Sequence, residues 1–241
     1  MAVFAVAILL ESAGCNCASK TTFSDPAVQR LASAAENGDV ESIDQVIQNG
    51  ADPNARGLEN VTPLHVALAA RNKAGFDALL RHGADPNLFD DRGQSVILKA
   101  AAEEESHWLE QCLKHGGKPN LLSPGTRRSS KGITPIFYAV DHRRGKNLKI
   151  LIDAGADMNH VDGGGDTPWR SAVVTPAYDM LYIMVEAGVD FRKKDAIGQD
   201  LLELISSRKE HDMFDDDQKM WFRKTVELLK SKGAKVTLSG D

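Results

Sequence analysis

The sequence predicts an all-α fold, a solenoid of helix-turn-helix units joined by β-hairpin-like fingers, in six repeats. Three observations predict it. A short phrase recurs as Gly50-Ala51-Asp52-Pro53-Asn54, Gly83-Ala84-Asp85-Pro86-Asn87, Gly116-Gly117-Lys118-Pro119-Asn120 and Gly155-Ala156-Asp157-Met158-Asn159, with Gly188-Val189-Asp190 as a shortened fifth. A second anchor stands 21 residues ahead of each glycine: Gln29, Thr62, Ser95, Thr134 and Thr167. The anchors recur every 33 residues from Gln29 to Thr62 to Ser95, and again from Thr134 to Thr167 to Asp200. A fixed period of this kind marks a stack in which each unit packs only on its neighbours.

Each element has a local cause. A threonine at the anchor caps the first helix of a unit, and the proline after it fits the first turn, where its missing N–H loses no partner. The phrase glycine ends the second helix, at a position that needs left-handed backbone. Apolar columns run between these punctuation points. Two places after the anchor stand Leu31, Leu64, Ile97, Ile136, Trp169 and Leu202, and five places after stand Ala34, Ala67, Ala100, Ala139 and Ala172. Fourteen places after come Ile43, Phe76, Leu109, Leu148 and Leu181, and Cys112 shares a column with Val46, Leu79, Leu151 and Met184. Repeats of about 25–57, 58–90, 91–129, 130–162, 163–195 and 196–237 follow.

With that period, Thr62-Pro63-Leu64-His65 closely resembles the opening of an ankyrin repeat, and Thr134-Pro135-Ile136-Phe137 and Thr167-Pro168-Trp169-Arg170 are variants of it. The resemblance implies a protein-binding scaffold and no enzyme, with an enzyme only as a remote alternative. It also implies that His65 ties neighbouring repeats through hydrogen bonds.

Two insertions break the period. The interval from Ser95 to Thr134 is 39 residues, and the excess falls in Leu121–Ile133 with its Pro124-Gly125 turn and Arg127-Arg128 pair, a longer basic finger. In the last repeat Asp200 to Gly233 spans 33 residues against the usual 21, which predicts an extra helical arm around Arg208–Phe222. The charged run Asp215-Asp216-Asp217 beside Lys219 suits the polar cap that ends a stack.

The chain has 241 residues, 42% of them hydrophobic, enough for a continuous core. Its net charge of -5 favours a basic protein patch as partner over nucleic acid. The N-terminal run Ala2–Leu10 has the length of a signal-peptide core, too short to span a bilayer. It leads to Ser12-Ala13-Gly14-Cys15, which resembles a bacterial lipobox, although Ser12 stands where the family usually has leucine. No Lys or Arg precedes the run, which points to a start codon further upstream. The expectation is a signal peptide over 1–14, lipidation at Cys15, a tether over 15–24 and a repeat domain over 25–241. Asn16 after the cysteine then implies an outer-membrane anchor facing the periplasm. The other reading is a buried or frayed N-terminal helix on a cytoplasmic protein.

No constellation of catalytic residues stands out. His82, His107, His115, His142, His160 and His211 fall at different repeat positions, without the spacing that zinc requires, so neither metal nor cofactor is expected. Cys112 reads as core. Gly163-Gly164-Gly165-Asp166 reads as a finger tip, lacking the lysine of a phosphate loop. Asp212–Asp217 lacks the central glycine and closing glutamate of a calcium loop.

A binding surface remains. The resemblance places partners on the finger tips and on the concave face of the first helices. The tips carry Arg56, Glu59, Phe89, Asp90, Arg92, Arg127, Arg128, Arg192 and Lys193; the concave positions carry Lys99, Glu103, Tyr138, Asp141, His142, Ser171 and Thr175. Aromatic and arginine side chains are the usual interface anchors, so the site is expected around Arg92, Arg127, Arg128, Tyr138, Asp141, His142 and Arg192. Exported bacterial proteins of this type resemble immunity proteins that neutralise injected toxins, including phospholipases of type VI secretion, and also accessory factors that protect periplasmic enzymes such as catalase. The expectation is a monomer that binds a toxin or lipase effector and meets the membrane only through its lipid.

Overall fold

The computed structural model describes residues 22–125, 131–208 and 215–237. Its described helices fall into six pairs: α1 (Pro26–Asn37) with α2 (Val40–Gln48), α3 (Pro63–Ala69) with α4 (Lys73–Arg81), and α5 (Val96–Ala102) with α6 (His107–Lys114). Next come α7 (Pro135–Asp141) with α8 (Gly145–Asp153), α9 (Pro168–Val174) with α10 (Tyr178–Glu186), and α11 (Leu201–Ser206) with α12 (Asp216–Ser231). Among the described residues the fingers form no named strand; Phe89 and Ser95 make an isolated antiparallel bridge. The chain divides into two compact units, Met1–Ala100 with His107–Lys118, and Ala101–Ser106 with Pro119–Asp241.

In the first unit α1 packs on α2, α3 and α4, α2 packs on α4, and α4 on α6. Gly75 allows the close approach of α4 to α1, since a Cβ there would stand 2.0 Å from the Ala35 carbonyl oxygen. In the second unit α7 packs on α8 and α9, α9 on α10 and α11, and α10 on α8 and α12. The predicted columns form these contacts. Leu31, Leu64, Ile97, Ile136 and Trp169 are fully buried, as are Ile43, Phe76, Leu109, Leu148 and Leu181. Each such side chain contributes roughly 1.5–3 kcal/mol by leaving water. Phe76 meets Trp108 edge-on at 5.1 Å.

Four details depart from the sequence reading. First, α1 starts at Pro26, with Asp25 as its cap accepting from the Ala27 N–H at 2.7 Å, so Gln29 lies inside the helix. Asp25-Pro26 supplies the same cap-plus-proline start one turn earlier. Second, Phe23, placed in the tether, is buried against Val28, Ala32, Val61 and Val66, and Gln29 donates to its carbonyl. The fold therefore takes in the end of the 15–24 segment. Third, Leu202 is half-buried, and Leu201, Leu204 and Ile205 face the core instead. Fourth, the last-repeat insertion builds no separate arm among the described residues. It lengthens the second helix: α12 has 16 residues where α4, α8 and α10 have 9. The Asp215–Gln218 capping box fixes its start. Phe222 packs edge-on to Tyr178 at 5.0 Å, and Trp221 lies 5.4 Å from Tyr182.

The recurring phrase does more than turn the chain. Its asparagine bridges to the next repeat: the side-chain amides of Asn54, Asn87 and Asn120 donate to the carbonyls of Gly83, Gly116 and Gly155 at 2.9–3.0 Å. Each Oδ1 also accepts from the N–H two residues beyond that glycine, at Asp85, Lys118 and Asp157. The phrase aspartates Asp52, Asp85 and Asp157 hold the turn by accepting from the N–H two residues on. At Asn159 the series stops, its Oδ1 buried and unbonded.

Candidate functional site

The fingers close on a five-residue turn that the sequence reading passed over. Asp90 N–H donates to Gln94, Asp162 to Asp166 and Asp195 to Gln199, while each aspartate's Oδ1 accepts from the N–H groups two and four residues on. In the third finger Ser123 pairs with Ile133 and Gly132, so the excess of the first insertion lies between Ser123 and Gly132. Successive fingers are laced together. In the first unit Asp91 N–H donates to Glu59 at 2.9 Å; in the second, Gly163 N–H donates to Lys131 at 2.7 Å and Ala196 N–H to Gly165 at 3.4 Å.

This lacing occupies several side chains expected at the tips. Arg92 is exposed but points Nη2 to Glu59 at 3.5 Å, and Arg56 Nη1 donates to the Phe89 carbonyl at 3.0 Å. Asp90 is buried in its own turn, with Lys99 at 3.7 Å. Arg192 is exposed, its guanidinium 5.5 Å from the centre of the Phe191 ring. Arg127 and Arg128 lie outside the described residues, as does Cys15.

The concave positions of the second unit come together on α7 and α9. Tyr138, Asp141 and His142 stand three and four residues apart at one side of α7 and its cap; Ser171, Val174 and Thr175 repeat that spacing on α9. Tyr138 and His142 are stacked with planes within 1° and centroids 6.3 Å apart, and His142 Nδ1 lies 3.0 Å from the Tyr138 carbonyl oxygen. Ser171 donates its hydroxyl to Asp141 Oδ1 at 2.5 Å, which fixes the carboxylate and joins the two helices. Thr175 donates back to Ser171 at 2.8 Å. Val174 is 49% exposed, an apolar member of this surface that sequence reasoning missed; its position in the Asp141 column is the signal that marks it. Arg143 is engaged elsewhere, with Asp179 at 3.7 Å and with the carbonyls of Thr175 and Pro176. The structure thus unites Tyr138, Asp141 and His142, while Arg92 belongs to the other compact unit.

His65, Cys112, His82 and His107 each serve the packing of the repeats. His65 is buried, with Nδ1 beside the Thr62 hydroxyl at 2.8 Å and Nε2 at 3.4 Å from the Gln94 carbonyl, so it serves the cap and the next finger together. Burial, reinforced by the Lys99 charge, lowers its pKa to about 4, which keeps the ring neutral. Burial pushes the Cys112 thiol far up, leaving it inert. His82 and His107 reach back to Asp44 and Asp77 at 2.7 and 2.9 Å, tying second helices of successive repeats. Among the described residues no group of three or more His, Cys, Asp or Glu gathers to hold a metal. No described helix is long and apolar enough to cross a membrane.

Comparison with known proteins agrees with this geometry. The family model for ankyrin repeats in three copies matches residues 31–121. No curated protein matches. An ankyrin repeat domain from Acinetobacter baumannii, 26% identical, is similar over 85% of this chain and 98% of its own, with a TM-score of 0.66. The ankyrin repeat domain of Bcl-3, described as a member of the IkappaB family, is 20% identical over 88% of each chain, with a TM-score of 0.67. The chain has the ankyrin-repeat fold, a scaffold for protein–protein interaction, and residues 31–121 carry ankyrin repeats by sequence as well.

Proposed function

We propose that this chain is a non-catalytic scaffold of the bacterial periplasm, lipid-anchored at Cys15, that binds and neutralises a secreted toxin such as a phospholipase delivered by type VI secretion. The partner lies on the concave surface of the fourth and fifth repeats. One observation carries this placement: a surface bearing the stack of half-buried Tyr138 on exposed His142, the fixed carboxylate of Asp141 and the exposed Val174. Aromatic surface next to a defined polar group is the composition of an interface centre. The Ser12-Ala13-Gly14-Cys15 sequence and the resemblance to a bacterial ankyrin domain support the exported, bacterial part of the reading.

The test uses the full chain expressed beside the product of the gene next to its own. Wild type protects cells and takes up palmitate label; Cys15→Ala abolishes labelling and releases the protein from the membrane fraction. Tyr138→Ala combined with Arg127→Ala and Arg128→Ala loses protection while keeping its circular dichroism. Full protection by that variant removes the site assignment, and a chain that stays unlabelled and cytoplasmic removes the periplasmic reading.

A further inference from the structure

Resting on the reading that this concave face binds a protein, we infer that the segment it takes presents an arginine, whose guanidinium stacks on the Tyr138–His142 pair and donates to the carboxylate of Asp141. Asp141 is exposed, its described hydrogen bond comes from a neutral hydroxyl, Ser171, and no described cation is paired to it. Arg143, two residues on, is directed to Asp179 and to backbone carbonyls of the next repeat. The bond to Ser171 removes the carboxylate's rotational freedom, so part of the ordering that a partner would otherwise impose is already done.

Shape then selects among cations. The two rings lie parallel within 1°, stacked with centroids 6.3 Å apart, and their flat faces form an aromatic surface at the turn of helix that carries Asp141. A planar, weakly hydrated guanidinium can lie on such a surface and still direct two N–H groups at a carboxylate. A lysine ammonium is compact and strongly hydrated and gains little from a flat platform. Val174, 49% exposed on the neighbouring helix, offers aliphatic contact to the methylene stem of the same side chain.

The probe is a displayed library of random peptides, selected on the full chain and counter-selected on the Tyr138→Ala, Val174→Asp double variant. Peptides recovered should be enriched in arginine, and a selected peptide should lose about tenfold in affinity, near 1.4 kcal/mol, when that arginine becomes lysine or when the protein carries Asp141→Asn. The Asp141→Asn variant keeps the Ser171 hydrogen bond, so its circular dichroism and melting should match wild type. Recovered peptides that need Tyr138 and Val174 but show no arginine preference overturn the inference and leave the binding face standing. Peptides that bind the double variant equally well, or no recovered peptides, overturn both.

Discussion

Arg170 Nη1 donates to Asp195 Oδ2 at 2.8 Å across the fingers that flank the fifth repeat, and the Asp195 side chain is completely buried. Arg170 occupies the column of His65, three places after the anchor, and both reach forward to the following finger: His65 to Gln94, Arg170 to Asp195 and Gln199. One position thus fastens a repeat to the next finger by two different chemistries. Arg170 also holds Asp166 at 2.8 Å.

Truncation at Arg170 should therefore be costly. Arg170→Ala leaves a buried carboxylate without its cation, a loss of roughly 3 kcal/mol. Lysine should restore little, because it lacks the fork that spans Asp166, Asp195 and Gln199. Adding Asp195→Asn to Arg170→Ala should recover part of the loss. Urea unfolding of the three variants measures this, and no recovery in the double variant would mean that the buried charge is not what makes Arg170 matter.

The neutral state of His65 predicts a stability slope in mild acid. Its folded pKa of about 4 lies below the ordinary 6.5. Above pH 6.5 the ring is neutral in both folded and unfolded chains. As pH falls from 6.5 towards 4, the unfolded chain takes up a proton that the fold refuses, and up to about 3 kcal/mol is lost. His65→Gln should flatten that part of the slope, although it is less stable at neutral pH. Denaturation at pH 7.5 and 5 on both proteins tests this, and equal slopes would refute it.

The fold was legible where one residue type does one job in every repeat. Leu64, Ile136 and Trp169 could be placed in the core because the period repeats their surroundings. Phe23 could not, because burial at the start of a stack depends on what the first repeat leaves uncovered, and no second repeat shows the same position. The α12 extension was visible as surplus length, but length alone does not separate a longer helix from an added arm. On the surface, Tyr138 and His142 were legible by column. The pairing of Arg92 with Glu59 was not, since exposed tips carry no pattern that says whether their charges face a partner or each other.

Core and surface positions of the repeats should separate cleanly. Leu64→Ala and Ile136→Ala remove fully buried side chains and should each cost roughly 2–5 kcal/mol. His142→Ala, at an exposed helix end, should stay within about 0.5 kcal/mol. Similar losses for all three would contradict the observed register.

Asp44 bears on how far the outer helices tolerate change. Glu41 and Asp44 lie on the same helix, but Asp44 meets His82 of the next repeat at 2.7 Å, whereas Glu41 meets its own helix at Gln45, at 3.4 Å. Asp44→Ala should cost up to about 1 kcal/mol, with the pair partly exposed, and Glu41→Ala close to nothing. A double-mutant cycle of Asp44→Ala with His82→Ala should show coupling, and additive losses would remove the inter-repeat role.

The asparagine series gives the sharpest internal comparison, because identical residues in equivalent phrases differ in bonding. Asn87 donates to Gly116 and accepts from Lys118, and Asn120 does the same with Gly155 and Asp157. Each holds two backbone groups of the next repeat, so alanine at either position forfeits two inter-repeat hydrogen bonds and should cost about 2 kcal/mol. Asn159 sits at the same place in its phrase, yet its Oδ1 is buried without a partner, after a phrase partner reduced to Gly188-Val189-Asp190. A buried unbonded oxygen is a cost that alanine removes. Asn159→Ala should therefore be neutral or stabilising by a few tenths of a kcal/mol, within about 0.5 kcal/mol of wild type. Chemical denaturation of the three alanine variants, with amide exchange read at Lys118, Asp157 and Asp190, distinguishes them. Asp157 and Lys118 should lose protection in their variants and Asp190 should not change in Asn159→Ala. An equal loss of stability at all three asparagines would show that the phrase acts through its turn alone.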